Sequence, residues 1–167
     1  QEFLMILEIG TYTLDIDIEK NKLFYKNAAQ ITDGCSCDGC CNYMIATEIF
    51  PKEVKDFFDN LGIDSKKAAE IITWCSENNA KSMFYGGFYH LCGELLSGNN
   101  CWKDSGEMNE DELYSIVEGY SVGFSSEVSL PEDNFPFPII QMEINFHNVP
   151  WLLKKENHYR QRYNNQF

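Results

Sequence analysis

Three patterns in the sequence predict an α+β fold, with an N-terminal strand and helices followed by a mainly antiparallel β-sheet. Residues 12–18 alternate with period two, two amphipathic stretches lie between residues 38 and 62, and aromatic-rich alternating runs fill the chain after residue 70. At 167 residues one hydrophobic core suffices, so residues 1–153 are assigned to a single domain.

In the first strand Tyr12, Leu14, Ile16 and Ile18 face one side, with Thr13, Asp15 and Asp17 on the other. Residues 19–29 suit a helix that lays Leu23, Phe24 and Tyr25 on that strand. A loop over residues 30–37 leads to a second helix beginning at Asp38 or Gly39, its apolar face formed by Cys41, Met44, Ile45 and Ile49. Pro51 opens a third helix, in which Val54, Phe57, Phe58 and Leu61 form the stripe and Gly62 ends it. Residues 71–75 and 82–96 read as a hairpin around the polar turn 77–80. A loop over residues 99–111 runs into a helical turn at Leu113, followed by strands at 120–124 and 139–146. In the last strand Ile140, Met142, Ile144 and Phe146 alternate with Gln141, Glu143 and Asn145. The prolines at 136, 138 and 150 bracket it, because a proline lacks the amide that a ladder requires. Residues 154–167 carry four basic side chains against one acidic and are expected to be a flexible, solvated tail.

The net charge of −13 repels phosphate backbones and anionic membranes, so no nucleic-acid or membrane partner is expected. The early apolar run at residues 3–7 is far short of the roughly 20 residues that span a bilayer. It also lacks the basic flank and cleavage pattern of a signal peptide, and the expected location is the cytoplasm. An acidic surface suits a basic protein partner.

Seven cysteines occupy positions 35, 37, 40, 41, 75, 92 and 101. Four within seven residues do not form the spaced framework of a secreted disulfide protein. Zinc takes a tetrahedron of thiolate or imidazole ligands, and a turn containing Gly34 and Gly39 can bend Cys35, Cys37 and Cys40 towards one point. The fourth ligand is assigned to Cys92, with His90, Cys41, Cys75 and Cys101 as alternatives. Cys37-Asp38-Gly39-Cys40 is also a Cys-x-x-Cys at a helix start, which admits redox chemistry, and Cys40 is the thiol expected to gain most from the helix dipole. The plainer alternative is that these are buried small side chains and loop thiols.

Other motifs carry less. Gly119-Tyr120-Ser121-Val122-Gly123 matches a hydrolase pattern by letter, but strand-like residues surround Ser121 where a nucleophile elbow needs strand, turn and helix. His147 and His158 read as surface residues, and Asp15 with Asp17 as a solvated strand face. The aromatic and glycine-rich stretch 84–93 is either a binding platform or, as preferred, a twisted core strand.

The ordered set Cys35-x-Cys37-x-x-Cys40-x-Asn42-Tyr43, Leu61-Gly62-Ile63-Asp64, Tyr85-x-Gly87-x-Tyr89 and Pro150-Trp151-Leu152-Leu153 resembles a family of small uncharacterised bacterial proteins over about residues 31–153. That family carries no assigned activity. Its members often have arginine where Cys41 stands, which sets Cys35, Cys37 and Cys40 apart as the functional thiols. The expected protein is a non-enzymatic protein-binding module whose cysteine cluster holds a structural zinc. The rival is a thiol-dependent redox enzyme using Cys37 and Cys40.

Overall fold

The chain begins as a hairpin of β1 (Leu4–Ile9) and β2 (Tyr12–Asp17), turned by Gly10 at φ 57°. Such a left-handed turn matches the twist of the strands it joins. Residues 4–75 and 82–159 are described by this computed structural model. Three longer helices follow: α1 (Ile18–Asn27), α3 (Asp38–Thr47) and α4 (Lys52–Leu61), with the single turn α2 (Ile31–Gly34) between the first two. The rest is β3 (Glu70–Cys75), β4 (Ser82–Ser97), β5 (Tyr114–Val117), β6 (Tyr120–Ser125) and β7 (Ile139–Pro150).

Among the described residues seven strands form one sheet in the order β1-β2-β4-β7-β6-β5, with β3 beside β4, and every pairing is antiparallel. The expected α+β architecture is the observed one. The 16-residue β4 is its axis, pairing with β7 over most of its length and taking β3 and then β2 as further neighbours. The expected turn at 77–80 lies outside the described residues. Among the described residues no helix is long and apolar enough to cross a membrane.

Helix boundaries follow local chemistry. The Asp17 carboxylate, read from the sequence as part of a solvated face, instead caps α1 by accepting the Lys20 amide at 3.0 Å. Gly62, at φ 74°, closes α4 as expected, and a Cβ there would sit 2.8 Å from the Ile18 carbonyl oxygen. Residues 4–7 of the early apolar run lie in the edge strand β1, with Leu4, Met5 and Ile6 exposed. The helical turn expected at Leu113 is a 3-10 turn over Glu110–Glu112, after which the chain is already strand β5.

The largest departure is the orientation of α3. Ile45 and Ile49, assigned to its inner face, are 44% and 58% exposed, while Cys40, Asn42, Tyr43 and Ala46 are buried. Two aromatic contacts draw Tyr43 inward, against Phe50 and Tyr85, and a tyrosine ring covers more area than an aliphatic side chain. Its polar tip is satisfied there: the Tyr43 and Tyr89 hydroxyls lie 2.5 Å apart, and Tyr89 donates onward to the Ser65 carbonyl at 2.6 Å.

Strand register sorts the sheet into two faces. Tyr85, Tyr89 and Leu91 of β4 pair with Phe146, Met142 and Ile140 of β7 in the main core. Phe88, His90 and Gly86 pair with Glu143, Gln141 and Asn145 on the face turned away from it. Those three polar residues of β7 are buried, although simple alternation suggests a solvent face.

Candidate metal centre

The one-turn helix α2 and the start of α3 make a tight corner. The Gln30 amide donates to Asp33 at 2.8 Å, and the Cys35 amide donates to the Ile31 carbonyl at 3.2 Å, so the chain leaves α2 already turned. Cys37 is then the N-cap of α3, and its sulfur accepts the Cys40 amide at 3.4 Å. One helical turn brings Cys40 back beneath Cys37, and Cys35 meets it from the other side, with 3.3 Å between the Cys35 and Cys37 sulfurs. The Cys35, Cys37 and Cys40 sulfurs all lie within 4.8 Å of one another. Zinc–sulfur bonds of about 2.3 Å in a tetrahedron place sulfurs roughly 3.8 Å apart, so small rotations suffice to close this set on an ion.

The three thiols are electrostatically unequal. Burial pushes the Cys37 thiol up, but the Cys40 amide, the Cys35 and Cys40 thiols and the Tyr159 hydroxyl outweigh it, and its pKa falls below the ordinary cysteine value. Burial and the neighbouring sulfurs of Cys35 and Cys37 push Cys40 well above that value. The hydrogen bonds at the helix start therefore favour the thiolate at Cys37, not at Cys40 as the sequence suggested, because the Cys37 sulfur holds the cap position and accepts the Cys40 amide while Cys40 sits inside. Cys35 and Cys37 are exposed, so an ion or reagent can reach them.

The corner is clamped from three directions. Tyr85 donates to the Gly39 carbonyl at 2.8 Å, and the Gly39 amide donates to the Tyr159 hydroxyl at 3.1 Å. A Cβ on Gly39 would lie 2.4 Å from Thr73 Oγ1, so only glycine lets the helix start approach β3 this closely. Asn42 donates to the Tyr85 hydroxyl and the Pro150 carbonyl, at 3.1 and 3.0 Å, and accepts the Leu152 amide. Asp38 pairs with Lys155 at 2.6 Å and with His158, and the Lys155 ammonium holds its carboxyl below the ordinary range. The segment expected to be a solvated tail thus supplies Lys155, His158 and Tyr159 to the α3 entrance; residues 160–167 lie outside the described ones. Nothing in the sequence marked Tyr159 as a neighbour of the thiols.

Cys92 is not brought to this cluster. It is buried in β4, where its amide donates to Asn21 at 2.7 Å and its thiol to the Phe137 carbonyl at 3.8 Å. It stands seven residues beyond Tyr85, about 23 Å along an extended strand, which explains the separation. His90 is engaged by Glu132 and Gln141. Cys41 turns its thiol to the Ser36 carbonyl, and Cys101 is buried with its pKa pushed up to about 12 by burial. Among the described residues the group is therefore three thiols. Ser121 lies within β6, paired with Ser115 and Asn145, and so lacks the strand-turn-helix setting of a nucleophile elbow.

Comparison with protein-family models, curated proteins and solved structures finds no match.

Proposed function

We propose that this chain is a non-enzymatic binding protein in which Cys35, Cys37 and Cys40 hold a structural zinc ion at the entrance of α3. The supporting observation is the convergence of the three sulfurs within 4.8 Å, one of them a cap thiol biased towards thiolate. An all-sulfur donor set selects soft or borderline ions, and zinc is the common one. The ion would lock the corner against which Tyr159 and the Lys155–Asp38 pair are seated. The net charge of −13 suits a basic protein partner in the cytoplasm, where reduced thiols remain available as ligands. Association with such a partner weakens as salt is raised.

Elemental analysis of the full chain, purified reduced and without chelator, tests the metal. One zinc per chain is expected, with a thiolate-to-metal charge-transfer band on cobalt substitution that Cys35→Ser, Cys37→Ser and Cys40→Ser each abolish. Metal at trace levels in the native chain overturns the reading.

The inequality of Cys37 and Cys40 favours one second reading, a thiol-dependent redox protein. An exposed, acidified cap thiol beside a buried partner is the arrangement in which the first attacks a disulfide substrate and the second resolves the mixed disulfide. In that reading the metal-free chain in glutathione buffer forms a Cys37–Cys40 disulfide and reduces a disulfide substrate catalytically.

A further inference from the structure

The sheet face turned away from the main core carries a half-open cavity of about 440 Å³. Its aromatic walls are Trp74, Phe84, Phe88 and Trp102, and the Trp74 and Phe84 rings meet edge to face at 5.1 Å. Gly86 makes this possible, because a Cβ there would sit 2.9 Å from the Trp74 ring. Four carboxylates line the same space, Glu70, Glu110, Glu127 and Glu143, and among the described residues no lysine or arginine does.

Glu143 is the informative one. It is only 4% exposed, yet no lysine or arginine pairs with it among the described residues, and the nearby imidazole of His90 is already engaged by Glu132. Its Oε1 accepts the Trp102 indole N–H at 3.0 Å and the Gln141 amide at 2.7 Å. Its Oε2, which accepts neither of these bonds, is not among the buried oxygens sealed without a partner and stays open to the cavity. Gln141 cannot turn to serve it, because the Gln141 oxygen already accepts the Ser129 amide at 2.7 Å and faces His90 Nε2 at 3.1 Å, with Glu132 on the other ring nitrogen. Burial, reinforced by the charge of Glu70, holds the Glu143 carboxyl above its ordinary range. A buried carboxylate facing an aromatic cavity without a counter-ion is costly, and a cation inside that cavity relieves the cost.

We propose that this cavity binds a small organic ammonium ion, its charge against Glu143 and Glu70 and its carbon body between the rings of Trp74, Phe84 and Trp102. Aromatic faces attract cations through their quadrupoles, most strongly where water is displaced. The volume lies in the range of small-ligand pockets. A metal ion is a poorer match, since calcium takes six to eight oxygens and the walls are mostly carbon. An anion would meet four carboxylates. The site shares no residue with the cysteine cluster and does not depend on the zinc reading.

Titration of the full chain with phenethylammonium, set against its neutral analogue 2-phenylethanol, tests this by calorimetry and by the fluorescence of Trp74 and Trp102. Saturable one-to-one binding is expected, at least about tenfold tighter for the cation. Glu143→Gln should weaken phenethylammonium about tenfold while leaving 2-phenylethanol unchanged, a split that general loosening of the fold would not produce. If Glu143→Gln does not fold, Trp74→Leu at its half-exposed position replaces it, with phenethylammonium binding weakened several-fold. Cys35→Ser should bind phenethylammonium as the native chain does. Equal affinity for the two compounds, absence of saturation, or native affinity in Glu143→Gln or, where that variant does not fold, in Trp74→Leu overturns the proposal.

Discussion

The side-chain oxygen of Asn42 accepts the amide of Leu152 at 2.6 Å, joining the first turns of α3 to the exit of β7 across 110 residues of chain. The same side chain binds the Pro150 carbonyl and the Tyr85 hydroxyl, so one buried amide ties together three separate segments. Two of the sequence motifs, the cysteine-asparagine run and the Pro-Trp-Leu-Leu run, are thus the two halves of one contact.

Replacing Asn42 with alanine leaves the Leu152 amide and Pro150 carbonyl without their partner in a closed site. The expected loss is about 2–4 kcal/mol of unfolding free energy. Urea denaturation of the variant, with an unchanged m-value, measures it.

Gly39→Ala probes the fit of the corner. The added methyl must displace Thr73 or Tyr159, with an expected cost of about 1–3 kcal/mol and a weaker metal affinity than the native chain. Competition with a colorimetric zinc chelator reads the second effect.

The tyrosine pair should respond asymmetrically. Tyr89 spends its proton on Ser65, so Tyr43 is the donor between the two hydroxyls. Tyr43→Phe removes one bond and should cost about 0.5–1.5 kcal/mol. Tyr89→Phe strands both the buried Tyr43 hydroxyl and the Ser65 carbonyl and should cost about 2–4 kcal/mol. Thermal or denaturant unfolding of the two single variants distinguishes them.

Cys92 separates burial from ligation. Cys92→Ala should lower stability by about 1–2 kcal/mol, through lost packing, while the metal content stays that of the native chain. Cys35→Ser, at an exposed position, should show the reverse pattern: metal lost, and the metal-free protein as stable as the native metal-free chain.

Glu143 sets a pH dependence. Burial and Glu70 raise its pKa in the folded state, so the folded chain holds a proton that the unfolded chain has released above about pH 4.3. Its contribution to stability falls as pH rises through that window. Glu143→Gln keeps an acceptor for Trp102 and Gln141 without the charge, and should melt higher than the native chain at pH 7, with the difference vanishing near pH 4. Glu70, Glu110, Glu127, His90 and His147 surround the same space or its hydrogen-bond chain and remain in both proteins, so the comparison isolates residue 143.

The alternation of Tyr12, Leu14 and Ile16, the stripe of α4 and its glycine stop were legible because each reports a local backbone period, and local period is written in adjacent residues. The Cys35, Cys37 and Cys40 set was legible for the same reason, since one turn of chain brings the three together. Which side of α3 turns inward was not. Ile45 and Ile49 are as apolar as a core residue should be, but Tyr43 and Asn42 find ring contacts and hydrogen-bond partners on β4 and β7, and burial goes to the face with partners. Cys92 was misplaced because strand rise, not sequence proximity of candidate ligands, sets its distance from the cluster. The second face of β7 follows the same rule. Period two put Gln141, Glu143 and Asn145 together, and only the arrival of Trp102, Trp74 and the 127–132 segment over them turned a solvent face into a buried one. Covalent spacing decides what stands on one side of an element; long-range packing decides whether that side meets water.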